Sequence, residues 1–101
     1  MTEKPILFVV DLTYKVPMER IQTVLEAHMA FVHRCYDAGV FIASGPKEPR
    51  TGGVVIAKAG DEASLRALLA EDPFVTEDFV EVTLTPFRPS RVEPGALGDW
   101  V

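Results

Sequence analysis

The sequence holds a single cysteine, so it forms no intrachain disulfide and does not read as a disulfide-stapled secreted scaffold. Basic residues are scarce: ten Lys plus Arg stand against fifteen Asp plus Glu, leaving a formal charge of −5. Neutralising phosphates without regard to sequence takes a concentrated basic surface, so a nucleic-acid binder of that kind is excluded. No apolar run approaches the roughly 20 residues that span a bilayer. The start, Met1-Thr2-Glu3-Lys4-Pro5, lacks the basic and long apolar regions of a signal peptide. Neither Gly45 nor Gly52-Gly53 completes a phosphate-loop or dinucleotide fingerprint. No G-x-S-x-G elbow surrounds Ser44, and no second cysteine or H-x-x-x-H spacing completes a metal site. What is present is 101 residues, 48% hydrophobic and 25% charged, the make-up of one small globular domain. The expectation is an acidic, cytoplasmic domain that binds neither nucleic acid nor membrane.

Ile6-Leu7-Phe8-Val9-Val10 is short, β-branched and aromatic, the pattern of a buried strand. Pro17 suits the first turn of a helix, and apolar residues then recur at helical spacing over 18–38 until Gly39. Val40-Phe41-Ile42-Ala43-Ser44 reads as a second strand and Val54-Val55-Ile56-Ala57 as a third, with a Gly- and Pro-rich loop between them. Asp61 is placed to cap a second helix over 62–71, which Pro73 stops. In the last strand, over 79–87, Val80, Val82 and Leu84 alternate with Glu81, Thr83 and Thr85. The order β-α-β-β-α-β predicts an α+β ferredoxin-like sandwich over 1–87, with an irregular tail over 88–101. Two helices cover one face of such a sheet, yet strands one and three are apolar at consecutive positions. A second copy of the chain is the expected cover for the other face; the alternative is the tail, with Leu97 and Trp100, folding back over it.

At about 100° per residue along the first helix, His28 falls amid Ile21, Leu25, Val32, Val24, Phe31 and Cys35. It therefore points at the sheet, where an imidazole needs a partner for at least one ring nitrogen. Two readings stand: a core histidine satisfied by a backbone carbonyl, or a general acid or base held by a carboxylate. Asp72, in Glu71-Asp72-Pro73-Phe74, is the first candidate for that carboxylate, with plain turn chemistry as its other reading. Asp11 is the second candidate. Tyr14, read as a loop residue, is either exposed or reaches over a pocket mouth. In Ser44-Gly45-Pro46 the hydroxyl is suited to a ligand oxygen, and the glycine allows close backbone approach. His33 points about 140° away from His28 and reads as solvated. Cys35 shares the apolar stripe and reads as inert.

The succession of His28, Ala43-Ser44-Gly45-Pro46, Pro49-Arg50-Thr51-Gly52-Gly53, Asp72-Pro73-Phe74-Val75 and Val82-Thr83-Leu84-Thr85-Pro86-Phe87 resembles the YciI-like (YCII-related) family. The resemblance spans about 6–87. It implies a ferredoxin-like fold assembled as a dimeric α/β barrel, and an active site built on a His-Asp pair, here His28 and Asp72. It places Ser44 and Phe74 in the same pocket. Relatives with assigned chemistry, and the related muconolactone isomerases, act on small oxygenated rings by lactone isomerisation or HCl elimination. Many relatives carry Arg three residues before the histidine; this chain has Leu25 there, leaving Arg50 or Arg20 to bind an anion. The expected function is cofactor-independent, His/Asp-assisted proton transfer on a small cyclic substrate such as a lactone or phenolic, by an isomerase or lyase. The alternatives are a non-catalytic dimeric module that binds a small ligand or assists another enzyme, and a regulatory sensor.

Overall fold

In the computed structural model, which describes residues 6–96, the first apolar run continues beyond Val10 as β1 (Ile6–Tyr14). Two helices follow, α1 (Met18–Gln22) and α2 (Leu25–Asp37), then β2 (Phe41–Pro46) and β3 (Gly52–Ala59). The chain continues through α3 (Glu62–Leu69), the single turn α4 (Pro73–Thr76) and β4 (Val80–Phe87). The strands form one sheet in the order β2-β3-β1-β4, antiparallel at every pairing. This is the ferredoxin-like α+β arrangement expected from the element order.

Side-chain alternation sorts β1 into two faces. Phe8, Val10 and Leu12 are buried in one cluster with Phe31, Val32 and Cys35 of α2 and Leu65 and Leu69 of α3. The register sets Val10 between Val55 and Leu84, so three strands present apolar side chains to the helices. On the other face Val9 is half-buried, flanked by half-buried Ile56 and exposed Thr85. Leu97 and Trp100, the candidate cover for that face, lie outside the described residues. From Arg88 to Ala96 there is neither helix nor strand.

The helical stretch expected without interruption over 18–38 is broken at Thr23-Val24. Val24 has φ −121° and ψ 10°, outside helical geometry. Two adjacent β-branched residues are poor helix formers, and the Thr23 hydroxyl donates to the Arg20 carbonyl at 2.6 Å. Downstream, α2 ends as its glycine requires: Gly39 takes φ 77°, its N–H donates to Tyr36 O, and Val40 N–H donates to Cys35 O.

The second major helix ends at Leu69, two residues short of the expected 71. Asp61 does cap it, accepting the Ser64 N–H at 2.7 Å, and this bond holds its carboxyl below the usual range. Pro73 does more than stop a helix. It occupies the first turn of α4, with Asp72 as the N-cap, a position proline favours because its missing N–H has no helical partner there.

Candidate active site

One face of α2 opens onto the end of the sheet. Leu25, His28, Met29 and Val32, spaced i, i+3, i+4 and i+7, line a cleft of about 310 Å³. Its floor comes from Leu12 and Tyr14 of β1 and from Gly52, Gly53 and Val55 of β3. Ser44, Gly45 and Pro46 of β2 form one wall, Phe74 of α4 another, and Arg50 reaches it from the β2–β3 loop. The lining is predominantly apolar with a few polar groups, the usual make-up of a small-molecule pocket.

The polar centre of the cleft rests on Asp72. Its carboxylate oxygen Oδ1 accepts two N–H groups, from His28 Nδ1 at 2.8 Å and from the Phe74 backbone at 2.9 Å. The Asp72 side chain is 3% exposed and the His28 ring 13%, so the carboxylate stands behind and the imidazole meets the cleft. An ionised carboxylate only accepts, so against it Nδ1 is the donor, and in the neutral form of the imidazole the Nε2 lone pair is then left for a ligand. The ring plane is fixed as well. Phe74 stacks flat on the imidazole, centroids 3.7 Å apart and planes 7° apart, and Tyr14 meets Phe74 edge-on at 6.1 Å. The turn Asp72-Pro73-Phe74 thus supplies the carboxylate, the second donor and the stacking ring.

His28, Ser44, Gly45, Arg50 and Phe74 are brought together around this cleft, with Asp72 directly behind. Of the two arginines considered for anion binding, Arg50 lines the cleft; Arg20 lies over the Phe79 ring, 5.2 Å from its centroid. Asp11, the second carboxylate considered for His28, is excluded by strand register. It pairs with Val54 and Thr83, on the face away from α2. There Lys47 binds it at 2.6 Å, and that hydrogen bond pulls the Asp11 carboxyl below its ordinary range. Tyr14 ends β1 rather than standing in a loop, which is why it packs against Phe74. His33 is exposed, while Cys35 is buried and desolvation pushes its thiol up. Among the described residues no three His, Cys, Asp or Glu side chains gather as a metal site would require.

Two contributors escaped the sequence reading. Met29 rims the cleft although it is exposed, and the i, i+4 spacing from Leu25 is the signal that finds it. Tyr36 bonds the Ser44 hydroxyl, with oxygens 2.7 Å apart. That contact joins α2 to β2, and no local pattern announces it.

The fold is similar to that of 5-chloro-2-hydroxyhydroquinone dehydrochlorinase (TftG) from Burkholderia phenoliruptrix AC1100, solved in complex with 2,5-dihydroxybenzoquinone. The TM-score is 0.69 at 15% identity, covering 81% of this chain and 93% of that one. It is also similar to SnoaB, a cofactor-independent oxygenase from Streptomyces nogalater. There the TM-score is 0.55 at 17% identity, covering 91% of this chain and 99% of that one. At such identities the likeness is one of fold. No curated protein matches the sequence. The YCII-related domain model matches residues 7–88, and the chain belongs to the YCII-related family.

Proposed function

We propose that the protein is an enzyme that moves a proton on a small cyclic oxygenated substrate, a lactone or a phenolic, as an isomerase or a lyase eliminating HCl. The observation that carries this reading is a histidine oriented by a buried carboxylate and open to an apolar cleft. His28 Nε2 takes a proton from a carbon next to a carbonyl, which a lactone carries and a phenolic presents in its keto tautomer. The C–H electron pair becomes the new C=C bond and the carbonyl π pair moves to oxygen. Ser44, or the backbone near Gly45, binds that oxyanion, and Arg50 attracts an anionic substituent. Asp72 holds the imidazole in one tautomer and stabilises the imidazolium that forms. Return of the proton to another carbon completes an isomerisation; departure of chloride with the C–Cl pair completes an elimination. Such chemistry needs no cofactor. The dehydrochlorinase and oxygenase with this fold support small-molecule chemistry of this general kind.

The test is turnover of a panel of lactones and chlorinated hydroxyquinols by the full chain and by His28→Gln. The expected result is a loss of about 10²–10⁴-fold in kcat/KM in a variant that keeps its fold. Full activity in His28→Gln removes His28 from the mechanism. Binding of panel members without turnover by the unaltered protein favours the ligand-binding module.

The working unit we propose is a homodimer, in which residues 1–87 form the functional domain and 88–101 a tail outside it. Half-buried Val9, Val54 and Ile56 on the helix-free face support this, as apolar surface that a second sheet would cover. Sedimentation equilibrium should give twice the monomer mass, falling to one for Ile56→Glu. A monomer at micromolar concentration in the unaltered protein overturns the assembly.

A further inference from the structure

The Ser44 hydroxyl is a two-way group: it carries one O–H to donate and two lone pairs that accept. An isolated serine therefore does not discriminate between ligand donors and ligand acceptors. Here the serine is not isolated. Strand register pairs it with Val55, on the helix-facing side of the sheet, and it lines the cleft with His28. Its oxygen lies 2.7 Å from the phenol oxygen of Tyr36. Tyr36 belongs to the last turns of α2 and does not line the cleft, so it reaches Ser44 from outside. Its ring is set edge-on to Phe41, with centroids 6.0 Å apart and planes at 88°, which restricts where the phenol can point.

A phenol O–H is more acidic than an alcohol O–H and is the stronger donor of the two. With the Tyr36 O–H as the donor to Ser44 Oγ, the serine proton is released toward the cleft. Hydrogen bonds in series polarise one another, so a serine that accepts from a phenol donates more strongly. We infer that Tyr36 is a positioning residue that turns Ser44 into a one-way donor, making this wall of the cleft selective for a carbonyl or enolate oxygen. This deepens the proton-transfer reading and rests on it: the oxygen Ser44 meets is the one that gains charge when His28 takes the proton.

Binding rather than turnover tests the relay, so its outcome is separate from that of the His28 assay. The probe is 2,5-dihydroxybenzoquinone, a planar ring bearing carbonyl oxygens, titrated into the unaltered full chain, Tyr36→Phe, Ser44→Ala and the double variant. Ser44→Ala should raise Kd about tenfold, the loss of one charge-assisted hydrogen bond. Tyr36→Phe, which keeps the ring against Phe41, should raise it about fivefold. The double variant should bind no more weakly than Ser44→Ala alone, because Tyr36 acts only through the serine. A Tyr36→Phe variant that binds like the unaltered chain, or whose effect adds in full to that of Ser44→Ala, overturns the relay. So does failure of the unaltered chain to bind the probe. In that last case the proton-transfer reading is still judged on its own, by lactone turnover in His28→Gln.

Discussion

Alanine at position 72 should destabilise the fold by about 2–4 kcal/mol and release His28 from its fixed orientation. Two losses combine. The bond from the Phe74 N–H, which is the α4 N-cap bond, goes and is typically worth about 1 kcal/mol. The His28 Nδ1–H loses the same oxygen, in a region where Asp72 is only 2% exposed. Leaving a buried donor unmet costs about 1–3 kcal/mol. Asparagine separates these effects. Its carbonyl caps a helix about as well as aspartate does, so Asp72→Asn should lose no more than about 1 kcal/mol while removing the charge behind the imidazole. Urea unfolding of both variants reads the stability. Long-range proton–nitrogen correlation spectra read the tautomer, with Nδ1–H dominant in the unaltered protein and lost in Asp72→Ala. Equal urea midpoints for Asp72→Ala and the unaltered chain would show that Asp72 does not fasten this corner.

Gly52→Ala should be the more damaging change. A Cβ at Gly52 would sit 1.8 Å from the Leu12 carbonyl oxygen and 2.8 Å from its carbon. Both are backbone atoms of β1, held by the pairing that sets Leu12 opposite Gly53 and Thr13 opposite Gly52. A side chain would swing away; here a strand must move. Overpacking into fixed structure typically costs about 1–3 kcal/mol, and this contact belongs at or above the top of that range. That is a large share of the roughly 5–15 kcal/mol that holds a domain together. The cleft should suffer with it, because Leu12, Gly52 and Gly53 form its floor. Gly45→Ala is the control: no atom lies within 4 Å of its Cβ, and the change should stay within about 0.5 kcal/mol. Thermal and urea unfolding of the two variants give the comparison, and equal stability would remove the close-approach account of Gly52.

Much of this architecture is written in local pattern. The alternation of Val80, Val82 and Leu84 with polar residues sets β4, whose apolar positions are indeed the better buried. Asp61 announces α3 and caps it. His28 and Asp72 are legible as candidates because each breaks a rule: an imidazole on an apolar stripe, and a carboxylate before a proline. Their contact is not legible, since 44 residues separate them and only the packing of α4 against α2 closes the gap. The break at Thr23-Val24 escaped because the apolar spacing runs straight across it, and periodicity is blind to a single non-helical residue. Asp11 and Tyr14 show the same limit from the strand side. Once β1 runs to Tyr14, register sends Tyr14 into the cleft and Asp11 to the opposite face.

The place of β1 has a consequence for the chain as it is being made. Of these four strands β1 leaves the ribosome first, and it is an inner strand of the finished sheet, with partners that begin at Gly52 and Val80. At about 5–20 residues per second, Ile6-Leu7-Phe8-Val9-Val10 waits for several seconds with both edges unpaired. This uncharged, β-prone run is the kind of segment that associates with other chains when exposed. A nascent chain halted before residue 52 should therefore recruit holdase chaperones through this segment. Synthesis of β3 and then β4 would shed them, sealing one edge of β1 after the other.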